Sequence, residues 1–169
     1  MDNQNEIFPI VDEDGHVIGS ATRGECHGGS KLLHPVVHLH VFNSAGEVYL
    51  QKRPEWKDIQ PGKWDTAVGG HIDYGEMPED ALRREVLEEL GITDFTPEFV
   101  AKYVFESSRE KELVYVHRTL YDGPIQPSSS ELAGGRFWSM QKIGDAIGNH
   151  VLTPNFESEF QRFFMNEIQ

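Results

Sequence analysis

The sequence predicts a single α/β domain, a strand-rich body carrying a few helices. Three observations predict it. β-patterned runs alternate with turn signals, two stretches carry helix start and stop signals, and 169 residues fill one domain but fall short of two. No internal repeat or linker-like segment divides the chain, so residues 1–169 are read as one unit.

The run EIFPIVDEDGHVIGSATR predicts a β-hairpin over about residues 6–20, turning at Asp14-Gly15. HPVVHLHVFNSAGEVYLQKR predicts a second hairpin that turns near Asn43–Gly46. Its alternation sets Val37, Leu39 and Val41 on one face and His38 and His40 on the other. WDTAVGG reads as a short strand ending in glycines. A helix is expected from Pro78 to Leu90, closed by Gly91 in the position where helices favour glycine. PEFVAKYVFES and ELVYVHRTLYDG predict an antiparallel pair, GRFWSM another strand and QKIGDAIGNH a short helix. The last segment has Thr153 as a cap, Pro154 at the first helical position, and Phe156, Phe160, Phe163 and Phe164 on one side. That is an amphipathic terminal helix.

Composition narrows the function classes. Hydrophobic residues make up 38% and charged residues 25%, as in soluble globular proteins. No apolar run approaches the roughly 20 residues that span a bilayer, and the N-terminal stretch lacks a basic start and apolar core, so a cytoplasmic location is expected. Cys26 is the only cysteine, which excludes an intrachain disulfide and reads as a bystander more readily than as a nucleophile. The formal charge of −13 leaves no basic footprint for nucleic acid. An anionic small molecule remains a suitable partner, because a bound divalent cation inverts the local field.

Glu85, Glu88 and Glu89 fall within an arc of roughly 100° on the expected helix, while Leu82, Val86 and Leu90 form a separate apolar stripe. Glu79 and Asp80 suit the positive end of the helix dipole, and Arg84 stands four residues before Glu88. Two readings fit such a cluster. It is either a solvated acidic face or a set of oxygen ligands for a hard cation, whose charge would offset the repulsion among the carboxylates.

The wider pattern carries a resemblance. Gly70, five residues, Glu76, seven residues, then Arg84-Glu85-Val86-Leu87-Glu88-Glu89-Leu90-Gly91-Ile92 resembles the Nudix box at each of its defining positions, residues 70–92. The resemblance implies a Nudix α/β/α sandwich with a mixed sheet and a loop-helix-loop box. It also implies hydrolysis of a diphosphate linked to another group, dependent on Mg²⁺ or Mn²⁺. Carried over by position, Glu85, Glu88 and Glu89 are catalytic metal ligands, and one of them helps deprotonate the attacking water. Gly70 adds its carbonyl, and Arg84 and Glu76 hold loop and helix in register. Met77 departs from the Ser or Thr that often caps this helix, weakening the cap by about 1 kcal/mol.

Much of the remaining chain, from about Ile7 to Thr153-Pro154, is similar to the isopentenyl-diphosphate isomerase branch of that family. His27 and His34 match its H-x6-H pair, His71 closes Gly69-Gly70-His71, and Glu110 and Glu112 form E-x-E. The resemblance implies a second metal site at these five residues, for Zn²⁺ or Mn²⁺. The chain has eight histidines, so incidental spacing is the competing explanation, and Glu110 or Glu112 could instead supply a general base. Gly69 stands where the isomerases carry their catalytic cysteine, which favours hydrolysis over isomerisation. A Nudix-fold sensor that binds a nucleotide metabolite without turnover is a third reading, disfavoured by the intact acidic set.

Lys52 and Arg53 are candidate phosphate contacts, with solvated surface cations as the alternative. Trp56, Trp64 and Trp138 could stack on a base or line an apolar pocket, although core packing is expected for at least two. Glu131 is a weak candidate for substrate contact. The group attached to the diphosphate stays open, and so does a homodimer.

Overall fold

The computed structural model describes residues 3–57, 59–128 and 132–165, so Glu131 lies outside the described residues. Within them run β1 (Ile7–Val11), β2 (Val17–Thr22), α1 (Arg23–His27), β3 (Leu33–Phe42), β4 (Val48–Lys52), β5 (Trp64–Thr66) and β6 (Val68–His71). There follow α2 (Pro78–Leu90), β7 (Glu98–Glu106), β8 (Lys111–Leu120), β9 (Gly135–Trp138), α3 (Met140–Ala146) and α4 (Pro154–Phe163). The architecture is α/β. A mixed seven-stranded sheet has the order β5-β4-β3-β8-β7, with β6 also pairing with β3 and β9 with β4, and β1-β2 form a separate hairpin.

The chain groups into two compact units. The first comprises residues 1–38, 69–85 and 99–117, and the second residues 39–68, 86–98 and 118–169. In the first, β1 and β2 pair antiparallel from Ile7↔Thr22 to Val11↔Val17, with an irregularity at Ile10/Val11. The hairpin runs directly into α1, a short helix that the strand pattern conceals. Its signal is Thr22-x-x-Glu25. Thr22 Oγ1 accepts the Glu25 N–H at 3.1 Å, and Glu25 Oε1 accepts the Thr22 N–H at 3.1 Å, a reciprocal capping box. The helix buries Cys26 with Phe8, Ile10 and Ala21. Burial pushes the Cys26 thiol up to about 11, which fits a packing residue and not a nucleophile. Val11, Leu33 and Leu113 make a second apolar cluster.

The second unit is built on β4, which pairs antiparallel with β5 and with β9. Thr153 caps α4 by accepting the Phe156 N–H at 3.2 Å, and its hydroxyl donates to Asp65 Oδ1 at 2.9 Å. Phe156, Phe160 and Phe164 are fully buried, whereas Phe163 is half-buried. Trp138 is buried and packs edge-on to half-buried Trp64 at 5.4 Å, and Trp56 is exposed.

Along β3, Val37, Leu39, Val41 and His40 are buried and His38 is half-buried. His40 is 0% exposed and ringed by aromatic side chains, its nearest being Phe164 at 4.6 Å between centroids. Its Nε2 contacts Glu159 Oε2 of α4 at 2.5 Å. The sequence carries no spacing signal for a pair 119 residues apart. This contact ties α4 to β3 through a polar bond in an apolar setting, where losing one partner is costly. Glu159→Ala should therefore lower the unfolding free energy by about 3 kcal/mol in urea titrations. The paired change His40→Leu with Glu159→Met should recover most of that loss.

Candidate active site on a glycine strand

β6 is Val-Gly-Gly-His, and its alternation sends Gly69 and His71 to one side and Gly70 to the other. Each side meets a different set of polar groups.

On the Gly70 side stands Glu85. A Cβ built on Gly70 would overlap the Glu85 carboxyl, so only glycine lets the acid lie against the strand. Arg84 holds that acid in place. Its Nη1 donates to Glu85 Oε1 at 2.8 Å, while Nε and Nη2 grip the two oxygens of Glu76, each at 2.9 Å. Nη2 also donates to the His71 carbonyl oxygen at 3.0 Å and lies 3.4 Å from Asp73 Oδ2. The fork geometry of guanidinium suits this multiple grip. The hydrogen bonds from Arg84 hold the Glu76 carboxyl below its usual value, and those same acids raise Arg84. The turn before α2 is closed by the same residues, since Glu76 Oε1 accepts the Asp73 N–H at 3.0 Å.

Helix α2 spans Pro78–Leu90, and Leu82, Val86 and Leu90 are each 0% exposed. This anchored stripe fixes the rotation of the acidic arc. Glu85 is half-buried, Glu88 exposed and Glu89 buried. In the second unit, Glu89 Oε1 accepts Gln51 Nε2 at 3.3 Å. Gly91, with φ +68°, takes the left-handed conformation that ends the helix.

On the His71 side, the five residues singled out by spacing lie together in the first unit. His27 Nε2 is 3.2 Å from His71 Nε2 and 3.1 Å from Glu110 Oε2. Glu112 Oε2 lies 3.8 Å from both His34 Nε2 and His71 Nε2, and Glu110 Oε2 lies 3.9 Å from His34 Nε2. His34 Nδ1 donates to the Leu32 carbonyl at 2.9 Å, which leaves Nε2 with its lone pair. That Nε2 is buried without a hydrogen bond among the described residues. Burial depresses His34 and, more strongly, His71, so both rings are neutral near pH 7. Burial raises Glu110. Ligand atoms about 2.1 Å from one ion are themselves separated by roughly 3–4 Å, so this donor set fits a divalent cation.

Sequence reasoning missed what supports these groups. Phe8 stacks on His71 at 4.4 Å and 6°, and on His34 at 5.8 Å and 11°. Arg23 covers the other part of the Phe8 ring at 5.0 Å and pairs with Glu6 at 2.9 Å. Asp73 beside Arg84 was also missed. Lys52 and Arg53 belong to the second unit. There Arg53 Nε donates to the Ile59 carbonyl at 3.0 Å and its Nη1 faces Asp65 Oδ2 at 3.5 Å, so a local carboxylate already engages it.

The Glu76–Arg84 bond sets a pH dependence with a definite sign. A carboxyl held below its usual 4.5 adds stability above that pH and loses it as pH falls through the lowered folded value. The difference in unfolding free energy between the wild type and Glu76→Gln should be largest near pH 7 and shrink as pH falls below 4.5. A difference constant across that range would contradict the assignment.

The comparisons with known proteins place this geometry in a family. The NUDIX domain pattern matches residues 32–156. An uncharacterized Nudix hydrolase of Streptomyces coelicolor is 30% identical over 96% of this chain and 90% of its own. An isopentenyl-diphosphate Delta-isomerase of Mycolicibacterium vanbaalenii is 35% identical over 76% of this chain and 74% of its own. Among solved structures, a Deinococcus radiodurans protein superposes with a TM-score of 0.80 at 21% identity, over 94% of this chain and 99% of that one. A MutT protein from Methanosarcina mazei reaches 0.67 at 27% identity, over 81% and 96%. No described helix is long and apolar enough to cross a membrane. A glycine strand facing Glu85, an Arg84 clamp and the matched box lead to one conclusion: the chain belongs to the Nudix hydrolase family.

Proposed function

We propose that this protein hydrolyses a diphosphate bond in a small organic diphosphate, with divalent ions at two centres. The observation that carries the reading is the Glu85 carboxyl, clamped by Arg84 against the bare backbone of Gly70. Glu85, Glu88, Glu89 and the Gly70 carbonyl would hold Mg²⁺ or Mn²⁺, with His27, His34, His71, Glu110 and Glu112 holding a second ion. Bound cations neutralise phosphate oxygens and acidify water.

The residues have distinct tasks in this reading. Arg84 keeps one oxygen of Glu85 occupied at 2.8 Å, while the other lies against Gly70. Glu88, exposed on the same arc, is the carboxylate best placed to take a proton from water. Glu89 is buried and braced by Gln51, so its carboxyl is oriented before ligand arrives. Arg53 is a weaker phosphate contact than its sequence position suggested, because Asp65 competes for it.

A second reading draws on the assembled His/Glu group and on the isomerase relatives, namely isomerisation of isopentenyl diphosphate. It lacks a reactive side chain at residue 69. A Cβ there would meet His38 at 3.4 Å without overlap, and the reactive group itself is missing.

The test is a panel of nucleoside, sugar and prenyl diphosphates assayed for phosphate release with Mg²⁺, Mn²⁺ and Zn²⁺. Hydrolysis should require a divalent ion, and Glu88→Gln should reduce kcat by about 100-fold or more at unchanged melting temperature. Wild-type activity in that variant would sink the assignment, and formation of the double-bond isomer from isopentenyl diphosphate would establish the second reading. Zinc titration should show one tight site that His34→Ala weakens at least about tenfold.

A further inference from the structure

The two groups of ligands are back to back on β6, and their connection runs through one residue. His71 contributes its imidazole to the His/Glu group and its carbonyl oxygen to Arg84 Nη2 at 3.0 Å. The same guanidinium donates to Glu85 at 2.8 Å, and Glu85 lies against Gly70, the neighbour of His71. We infer that the His/Glu centre is an allosteric ion site, whose filling positions Glu85 through the His71 carbonyl and Arg84 and tightens ion binding at the Nudix box. The inference rests on the two-centre reading above and adds a regulatory link between the centres.

The sign follows from charge and order. Two like cations across a thin strand would ordinarily oppose each other. Glu110 and Glu112 bring two negative charges, however, so a divalent ion among them forms a locally neutral centre with a weak field beyond the strand. What remains is positional. The rings of His27 and His71 bring two nitrogens to 3.2 Å, and a shared ion would draw both to one point. Pinning the His71 ring adds to the restraint that strand pairing with β3, the Phe8 stack and Arg84 already place on this residue, and so sharpens the position of its carbonyl oxygen. The Arg84 acceptor is then fixed, and Glu85 with it. The ordering cost is met when the first ion binds and need not be met again by the second, which gives positive coupling. By linkage, an ion at the box must tighten the His/Glu centre by the same factor.

Arg84 is therefore a positioning residue in this scheme. Lysine at 84 would keep a positive charge near Glu85 but could not reach Glu76, Glu85 and the His71 carbonyl from one planar fork.

The experiment measures Mn²⁺ affinity from the paramagnetic resonance signal of free Mn²⁺, with the full-length protein either metal-free or preloaded with one equivalent of Zn²⁺. Zinc favours the imidazole-rich centre. The wild type should bind Mn²⁺ at least about fivefold more tightly after zinc loading. In Arg84→Lys the two affinities should agree within about twofold while zinc still binds with one-to-one stoichiometry. Glu76→Gln, which loosens the same guanidinium by a different route, should reduce the coupling without abolishing it. Equal or weaker Mn²⁺ binding by zinc-loaded wild type would overturn the coupling and leave both metal centres standing. Absence of stoichiometric zinc binding, or zinc binding indifferent to His34→Ala, would overturn the two-centre reading itself.

Discussion

The arrangement depends on one guanidinium. Arg84 binds two carboxylates and a backbone carbonyl within hydrogen-bond distance and has a third carboxylate at 3.4 Å. Without a cation among them, Asp73, Glu76 and Glu85 would repel one another at the mouth of α2. With it they become a rigid turn. Such a grip is worth more than a surface ion pair because the partners are half-buried and the fork is satisfied at fixed angles. The same contacts join the loop after β6 to the helix, so the angle at which α2 presents its acids is set by side-chain chemistry as well as by the apolar stripe beneath.

The glycines of β6 serve proximity. Gly70 lets a carboxylate approach the main chain where a methyl group would displace it. Gly69 leaves its side of the strand open next to His71. The His/Glu group illustrates a different economy. Burial disfavours charge on His34, His71 and Glu110, yet phenylalanine stacking and a Leu32 carbonyl hold the His34 and His71 rings in place. Neutral nitrogen donors and two carboxylates, convergent and partly dehydrated, are poorly stabilised by one another and well stabilised by a cation.

Much of this was legible in the residues. Pro78 and Gly91 bound α2 as sequence rules require, and the 3.6-residue period separated its buried stripe from its acids. The H-x6-H and E-x-E spacings are short, so each pair stays local and only the strand order had to bring them together. Partners distant in sequence were not legible. Phe8 beneath His71, Gln51 against Glu89 and His40 against Glu159 each depend on how strands are ordered, which no local pattern encodes. The contact of Arg53 with Asp65 of β5 has no local signal either. The alternation in β3 marks its two faces but not their burial: a central strand is covered on both, so a polar residue such as His40 must find its partner there.

The measurement that bears most directly on the account is anomalous diffraction from crystals of this protein soaked in Mn²⁺. The account predicts an ion peak within ligand distance of a Glu85 oxygen and the Gly70 carbonyl, with Arg84 still bound to Glu76. A map with no anomalous density along the acidic arc of α2 would contradict it.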